Sequence, residues 1–225
     1  MIKMTYNNWD DYFYKGTNVL KNKLDIIDPK ELEEKEIHIS STKLRQLMER
    51  PLEMSTYDKE RLKRIHSYLF SDIYDWAGEY RTVNMAIDKD DFVGPSFDKI
   101  STVVSFAPAN LIDSMLHEAF DEADREIDRS SNINTYCEAL ARLYAKLMYI
   151  HPFREGNGRS TREIIREYSN YKRLDKDFEI DDFKWTKIDR EVLHKGIDVA
   201  MTYPGNISSE FMKTLKIENN NKRRR

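Results

Sequence analysis

One run of the 225-residue chain, His151 to Arg162, reads HPFREGNGRSTR and gathers an imidazole, a carboxylate, two glycines and two arginines. An imidazole titrates near about 6.5 in water and suits proton transfer around neutral pH. Glu155 offers the hard oxygen that Mg²⁺ takes alongside substrate phosphates. Gly156 and Gly158 allow backbone conformations and close approaches that a β-carbon would block. A loop that opens a helix also turns unpaired N–H groups toward an anion. Arg159 and Arg162 stand three apart, on one face of the first turn, where cations oppose the helix dipole. That cost is offset if the guest is a polyanion. Taken singly, His151 is a helix-end histidine and Glu155 a solvated charge. Taken together, they predict a base beside a metal-held polyphosphate. Zinc does not fit, because no second His or Cys stands at ligand spacing and HExxH is absent.

The run needs helices on both sides. Tyr136, Leu140, Leu143, Leu147 and Ile150 recur at steps of three and four before it, as do Thr161, Ile164, Ile165 and Tyr168 after it. A helix–loop–helix is therefore expected, with Asn134 or Thr135 capping the first helix and Ser130 to Asn132 forming the turn before it. Residues 1–16, with Trp9, Tyr12, Phe13 and Tyr14, predict a packed N-terminal arm, and Val19–Leu24 a short helix. Asp28-Pro29 predicts a helix entry running through Leu32, Ile37 and Met48 to Pro51. From Ser55 or Thr56, the spacing of Tyr57, Leu62, Ile65, Leu69, Ile73 and Trp76 predicts one long amphipathic helix stopped by Gly78. Tyr80–Ile87, Asp88–Asp91 and Phe92–Gly94 together predict a small β-hairpin. Helices are expected over Phe97–Val104, Ala109–Glu126 and Asp189–Met201. Pro204-Gly205-Asn206 reads as a turn, Ser208–Ile217 as a last short helix, and Asn219–Arg225 as a polar, basic tail.

Composition narrows the class. Hydrophobic residues at 40% and charged residues at 34% suit a helix-rich globular chain, and seven glycines with six prolines are too few for many strand–turn units. A net charge of −3 creates no field for nucleic acid or an anionic membrane. Lys222 to Arg225 read as a solvated tail, so nucleic acid is not an expected partner. Cys137 is the sole cysteine, which excludes an internal disulfide and suits a reducing compartment. Asn7, Asn8, Asp10 and Asp11 stand where a signal peptide would be apolar, and no apolar stretch spans a bilayer. The expectation is a cytoplasmic protein with no membrane partner.

The run resembles the signature of the Fic domain, HxFx(D/E)GNGRxxR, at His151, Phe153, Glu155, Gly156, Asn157, Gly158, Arg159 and Arg162. Tyr14 to Leu20 is similar to that family's N-terminal opening. Ile65-His66 through Phe70, Ile73, Trp76 to Glu79, and Arg81 resemble its helix-to-flap passage. The likeness covers most of residues 10–200. It implies a mainly α Fic-fold helical bundle with a small β-hairpin flap. It also implies a protein adenylyltransferase that moves AMP from ATP to a Ser, Thr or Tyr hydroxyl of a protein target, and to itself.

In such an enzyme His151 would be the base, Phe153 the loop anchor, and Glu155 the holder of Mg²⁺. Gly156, Asn157, Gly158, Arg159 and Arg162 would bind the phosphates of ATP. Flap residues Thr82, Val83, Asn84, Met85 and Ile87 would dock the target by strand addition. Many Fic domains are restrained by a helix reading (S/T)xxxE(G/N), whose glutamate pairs with the second arginine of the loop. Thr214-Leu215-Lys216-Ile217-Glu218-Asn219 resembles it, whereas Ser114 to Glu118 fits only the first part and is followed by Ala119. The domains expected are residues 1–205, a Fic domain with an N-terminal helical extension, and 206–225, an inhibitory helix with its tail.

Two other readings stay open on the sequence. The same loop can transfer another phosphate-linked group or remove AMP, and a nucleotide-binding module without catalysis would also keep the phosphate residues. Homo-oligomerisation is a further implied property, with Tyr203 a self-modification candidate by position.

Overall fold

The computed structural model describes residues 6–88, 103–189, 191–193 and 204–217, and over them the chain is mostly helical. Two compact units interleave along the sequence. One comprises Met1–Glu53, Lys63–Met115 and Ile150–Asn157; the other comprises Met54–Leu62, Leu116–Tyr149 and Gly158–Arg225.

In the first unit, the arm forms a short 3-10 turn at Trp9–Tyr12 and an antiparallel bridge between Phe13 and Leu20. The helix expected at Val19–Leu24 does not form. Asn22 supplies the reason: its amide donates to the carbonyls of Leu20 and Ile26 (2.9 and 2.8 Å) and accepts from the N–H groups of Leu24 and Ile26 (both 3.1 Å). Those bonds satisfy the backbone locally and remove the need for a helical ladder. Helix α1, Pro29–Glu49, starts where Asp28 accepts from the N–H groups of Lys30 and Glu31 (3.0 and 2.9 Å). Leu32, Glu36, Ser40 and Leu47 form its buried side.

Helix α2, Lys59–Phe70, is shorter than its apolar spacing predicts. It is capped by Asp58, which takes the N–H groups of Glu60 and Arg61 (3.0 and 3.2 Å), rather than by Ser55 or Thr56. It ends where Ile73 and Tyr74 both donate to the Phe70 carbonyl (2.9 Å each). Ile73 and Trp76 are still core residues, but they reach it from a turn that closes at Gly78, φ +84°.

A two-stranded antiparallel pair follows. Strand β1, Ala86–Asp88, pairs with β2, Val103–Ser105, in the register Ala86↔Ser105, Ile87↔Val104 and Asp88↔Val103. The helix expected to reach Val104 is thus overturned at its C-terminal end, because two successive β-branched residues prefer the pleated partner. Residues 97–102, and the Phe92–Gly94 strand of the expected hairpin, lie outside the described residues.

The second unit is built on the greater part of α3 (Ile112–Arg129), α4 (Ile133–Ile150) and α5 (Asn157–Lys172), and on α6 (Gly205–Leu215). Asn132 caps α4 by accepting from Asn134 and Thr135 N–H (3.0 and 3.1 Å), so the expected caps are the capped residues. The two stripes around the loop are buried as their spacing requires. Tyr136 donates to the Ser169 carbonyl and Tyr168 to Asp124 Oδ1 (both 2.8 Å), tying α5 to α4 and to α3. The buried guanidinium of Arg61 pairs with Glu167, and Arg166 pairs with Glu163 at 2.5 Å.

Helix α6 begins at Gly205, inside the expected turn, and buries Ile207, Phe211, Thr214 and Leu215. Phe211 meets Phe183, Trp185 and Tyr144 edge-on, with centroids at 5.0, 5.8 and 5.9 Å. Of the helix expected over Asp189–Met201, residues 191–193 are helical, while 190 and 194–201 lie outside the described residues. Burial pushes the Cys137 thiol up to about 12, as suits an inert core cysteine. Among the described residues no helix is long and apolar enough to cross a membrane.

Candidate active site

His151 to Asn157 belong to the first unit and Gly158 to Arg162 to the second, with α5 opening at Asn157. Along the run, Pro152, Phe153, Arg154, Gly156, Asn157, Ser160 and Thr161 are buried. His151, Glu155, Gly158, Arg159 and Arg162 keep partial exposure. The residues with chemistry to offer are thus the accessible ones, and their neighbours hold them.

The holding is specific in the first unit. Phe153 is fully buried and stacks on His66 at 3.8 Å and 15°. His66 Nδ1 accepts the Gly78 N–H (2.8 Å), which leaves Nε2 as the protonated nitrogen that donates to the Glu155 carbonyl (2.9 Å). Asn157 accepts from Phe153 N–H and donates to Phe153 C=O, both at 2.8 Å. The resemblance implies that Asn157 bonds phosphate directly. In the structure both polar atoms of its side chain bond the Phe153 backbone and so close the loop.

The Glu155 carboxylate accepts from Gly156 N–H at 2.8 Å through Oε1. Arg154 is buried with its guanidinium over Trp9 (3.9 Å) and Phe13 (5.0 Å), so the arm braces the loop through cation–π contacts. Burial lowers that guanidinium's pKa, with Glu155 pulling the other way.

Gly156 has φ +78°, and a β-carbon there would lie 2.4 Å from ring atoms of Phe70. A left-handed residue costs roughly 1–2 kcal/mol without glycine, and overpacking a core about 1–3 kcal/mol more. Gly156→Ala is therefore expected to destabilise the fold by about 2–5 kcal/mol, read as a lowered urea midpoint. An unchanged midpoint would contradict this placement of the loop against α2.

In the second unit, a β-carbon on Gly158 would stand 3.3 Å from a terminal nitrogen of Arg162, so this glycine leaves room for that guanidinium. The Arg162 carbonyl accepts from Trp185 Nε1 at 2.8 Å. Burial raises the Tyr144 pKa, while the positive charge of Arg162 draws it back. Thr214 accepts the Lys184 N–H at 2.6 Å; Glu218 and Asn219 lie outside the described residues.

The flap residues are anchored individually. Thr82 donates to the Tyr6 carbonyl, Val83 C=O accepts from Arg81 (2.8 Å), and Asn84 Oδ1 takes Ala109 N–H (2.9 Å). Met85 C=O takes Phe106 N–H (3.1 Å), and Ile87 stands opposite Val104. Phe106 and Trp185 carry no sequence signal that would single them out. His66 had one: it is a polar residue on the buried side of an apolar helix stripe.

The model of the Fic/DOC family matches residues 56–168, half of the chain. The protein adenylyltransferase VbhT of Bartonella schoenbuchensis is 29% identical over 207 residues, 92% of this chain. The chain spans only 38% of that relative's length. A Sinorhizobium fredii protein named as the probable protein adenylyltransferase y4lH is 27% identical over 165 residues, 72% of this chain and 76% of its own. Among solved structures, BepC of Bartonella tribocorum with bound AMPPNP has the same fold, with a TM-score of 0.72, 23% identity and coverage of 93% of this chain and 98% of its own. The Fic domain of a Bep effector from Bartonella sp. AR 15-3 gives 0.70 at 26% identity, covering 95% and 94%. With every fixed position of the loop present in a mostly helical chain, this protein belongs to the Fic/DOC family.

Proposed function

We propose that the chain is a protein adenylyltransferase that moves AMP from ATP to a hydroxyl of a protein target. The observation that carries the reading is the burial pattern of the loop. His151, Glu155, Arg159 and Arg162 stay accessible while the residues between them are locked inside. In the proposed step, His151 takes the proton of a Ser, Thr or Tyr hydroxyl as its oxygen attacks the α-phosphorus. The bond from that phosphorus to the α,β-bridging oxygen breaks, and pyrophosphate leaves with the electron pair. Arg159 and Arg162 stabilise the charge on the leaving group, a term that dominates transfers of this kind. Gly156 lets the loop lie against Phe70 and Gly158 leaves room for the Arg162 guanidinium, and the backbone N–H groups of these glycines and of Asn157 are proposed to meet the phosphates.

Glu155 is the residue that would hold Mg²⁺. The fit is chemical: one accessible carboxylate, steadied by the Gly156 N–H, suits a cation that shares its sphere with phosphate oxygens and water. When bound, Mg²⁺ would neutralise phosphate charge that Glu155 would otherwise repel. The target segment is proposed to dock along residues 82–87, where β1 gives an extended template.

Restraint by Glu218 acting on Arg162 is part of the same proposal. Supporting it, α6 ends at Leu215, three residues before Glu218, and packs on the Trp185 that bonds Arg162's own carbonyl. The test is transfer of labelled AMP into lysate proteins and into the chain itself, with ATP compared against UTP, GTP and CDP-choline. ATP is expected to exceed the others by at least tenfold. Preference for another donor, or release of AMP from modified protein without transfer, would replace this reading with one of its rivals.

A further inference from the structure

Arg81 is buried at 2% exposure and has no carboxylate partner among the described residues. Among the described residues its guanidinium bonds only peptide carbonyls. Nε donates to His151 (2.8 Å), one terminal nitrogen to Val83 (2.8 Å), and the other to Ala107 (2.5 Å) and Ile150 (3.2 Å). Its own N–H donates to Pro152 (2.8 Å). Three successive carbonyls, those of Ile150, His151 and Pro152, are therefore held by one residue.

The middle one belongs to a non-glycine residue at φ +47°, a conformation that a local constraint must sustain. The other two acceptors are the feet of the strand pair: Val83 precedes β1 and Ala107 follows β2. Beside Ala107, Phe106 stacks on the His151 imidazole at 4.0 Å and 21°. The backbone of His151 is thus fixed by Arg81 and its ring by the residue next to one of Arg81's other acceptors.

We infer that Arg81 is a positioning residue for His151. It holds the left-handed backbone of the histidine through the carbonyls around it, and joins that geometry to both feet of the strand pair. The inference deepens the proposed reaction and rests on His151 being its base. Lysine keeps the charge at position 81 but cannot span acceptors set around a planar fork. A displacement of about 1 Å in a reacting group costs up to about 10²-fold in rate.

The test uses the full chain with Arg81→Lys, Phe106→Leu and both. It measures AMP transfer at saturating ATP, ATP affinity, and the His151 ring resonance assigned by comparison with His151→Ala. The expected result is transfer about 10- to 100-fold slower in each single variant, with ATP affinity within about threefold. The double variant should lose less than the product of the singles. The His151 ring signal, shifted upfield by the face of Phe106 in the parent, should move toward its free value in Arg81→Lys. A parent-like rate and ring signal in Arg81→Lys would overturn the inference, as would parallel loss of ATP affinity and transfer. If Arg81→Lys does not fold, Phe106→Leu decides: a parent-like rate and ring signal overturn the inference, and a slower rate with ATP affinity kept supports it. If transfer survived in His151→Ala, the base assignment would fail. The ring signal would then still decide whether Arg81 places the histidine.

Discussion

His151→Ala is expected to reduce AMP transfer by about 10²–10⁴-fold, the range a general base contributes, while ATP binds within about threefold of the parent. The loop should survive the change, because what shapes it is not the imidazole. Asn157 closes it onto Phe153, His66 holds the Glu155 carbonyl, and Arg81 holds three carbonyls around position 151. Alanine at φ +47° adds only the modest cost of a left-handed residue. Single-turnover incorporation of labelled AMP with a parallel ATP titration separates the two effects. Undiminished transfer by the alanine variant would remove His151 from the reaction. Joint loss of transfer and ATP binding would make it a structural residue.

The second large effect concerns the C-terminal helix, and here two seemingly equivalent experiments are expected to diverge. Glu218→Gly should raise self-modification by roughly 5- to 150-fold, the usual span of a regulatory coupling. Cutting the chain before Ser208 should not reproduce it. Phe211, Thr214 and Leu215 are completely buried, and Phe211 sits among Tyr144, Phe183 and Trp185. Losing one buried phenylalanine alone costs about 3–5 kcal/mol, against a total stability of about 5–15 kcal/mol for a typical domain. The truncated chain should therefore melt at least about 10 °C lower and give little activity, whatever Glu218 does. Thermal melts and AMP incorporation on both variants check this. Equal incorporation by Glu218→Gly and parent would end the restraint proposal, and an undisturbed melting point after truncation would show that α6 is not core.

Legibility in the sequence followed the range of the forces involved. The stripes of α4 and α5 were readable because burial repeats at the helix period, and the loop between them because glycines, arginines and a histidine stand adjacent in sequence. Boundaries were missed where a side chain outbid propensity. Asp58 and Asn132 took the cap positions from neighbours of similar type, and Asn22 supplied bonds that replaced a helix. The partner of β1 was missed because strand pairing is non-local, and Val103–Ser105 lies beyond the expected hairpin.

Position by position, the sequence determined the family, the helical class and which loop residues have chemistry to offer, since each depends on residue identity and short spacing. Only the tertiary structure decided how those residues are held. Arg81 reaches carbonyls 69 and 70 positions away, and Trp185 reaches one 23 positions back. Asn157 turned out to shape the loop through Phe153, and α6 to be part of a core. Each of these outcomes rests on which acceptors and rings the folded chain brings within bonding distance, a property that no local pattern carries.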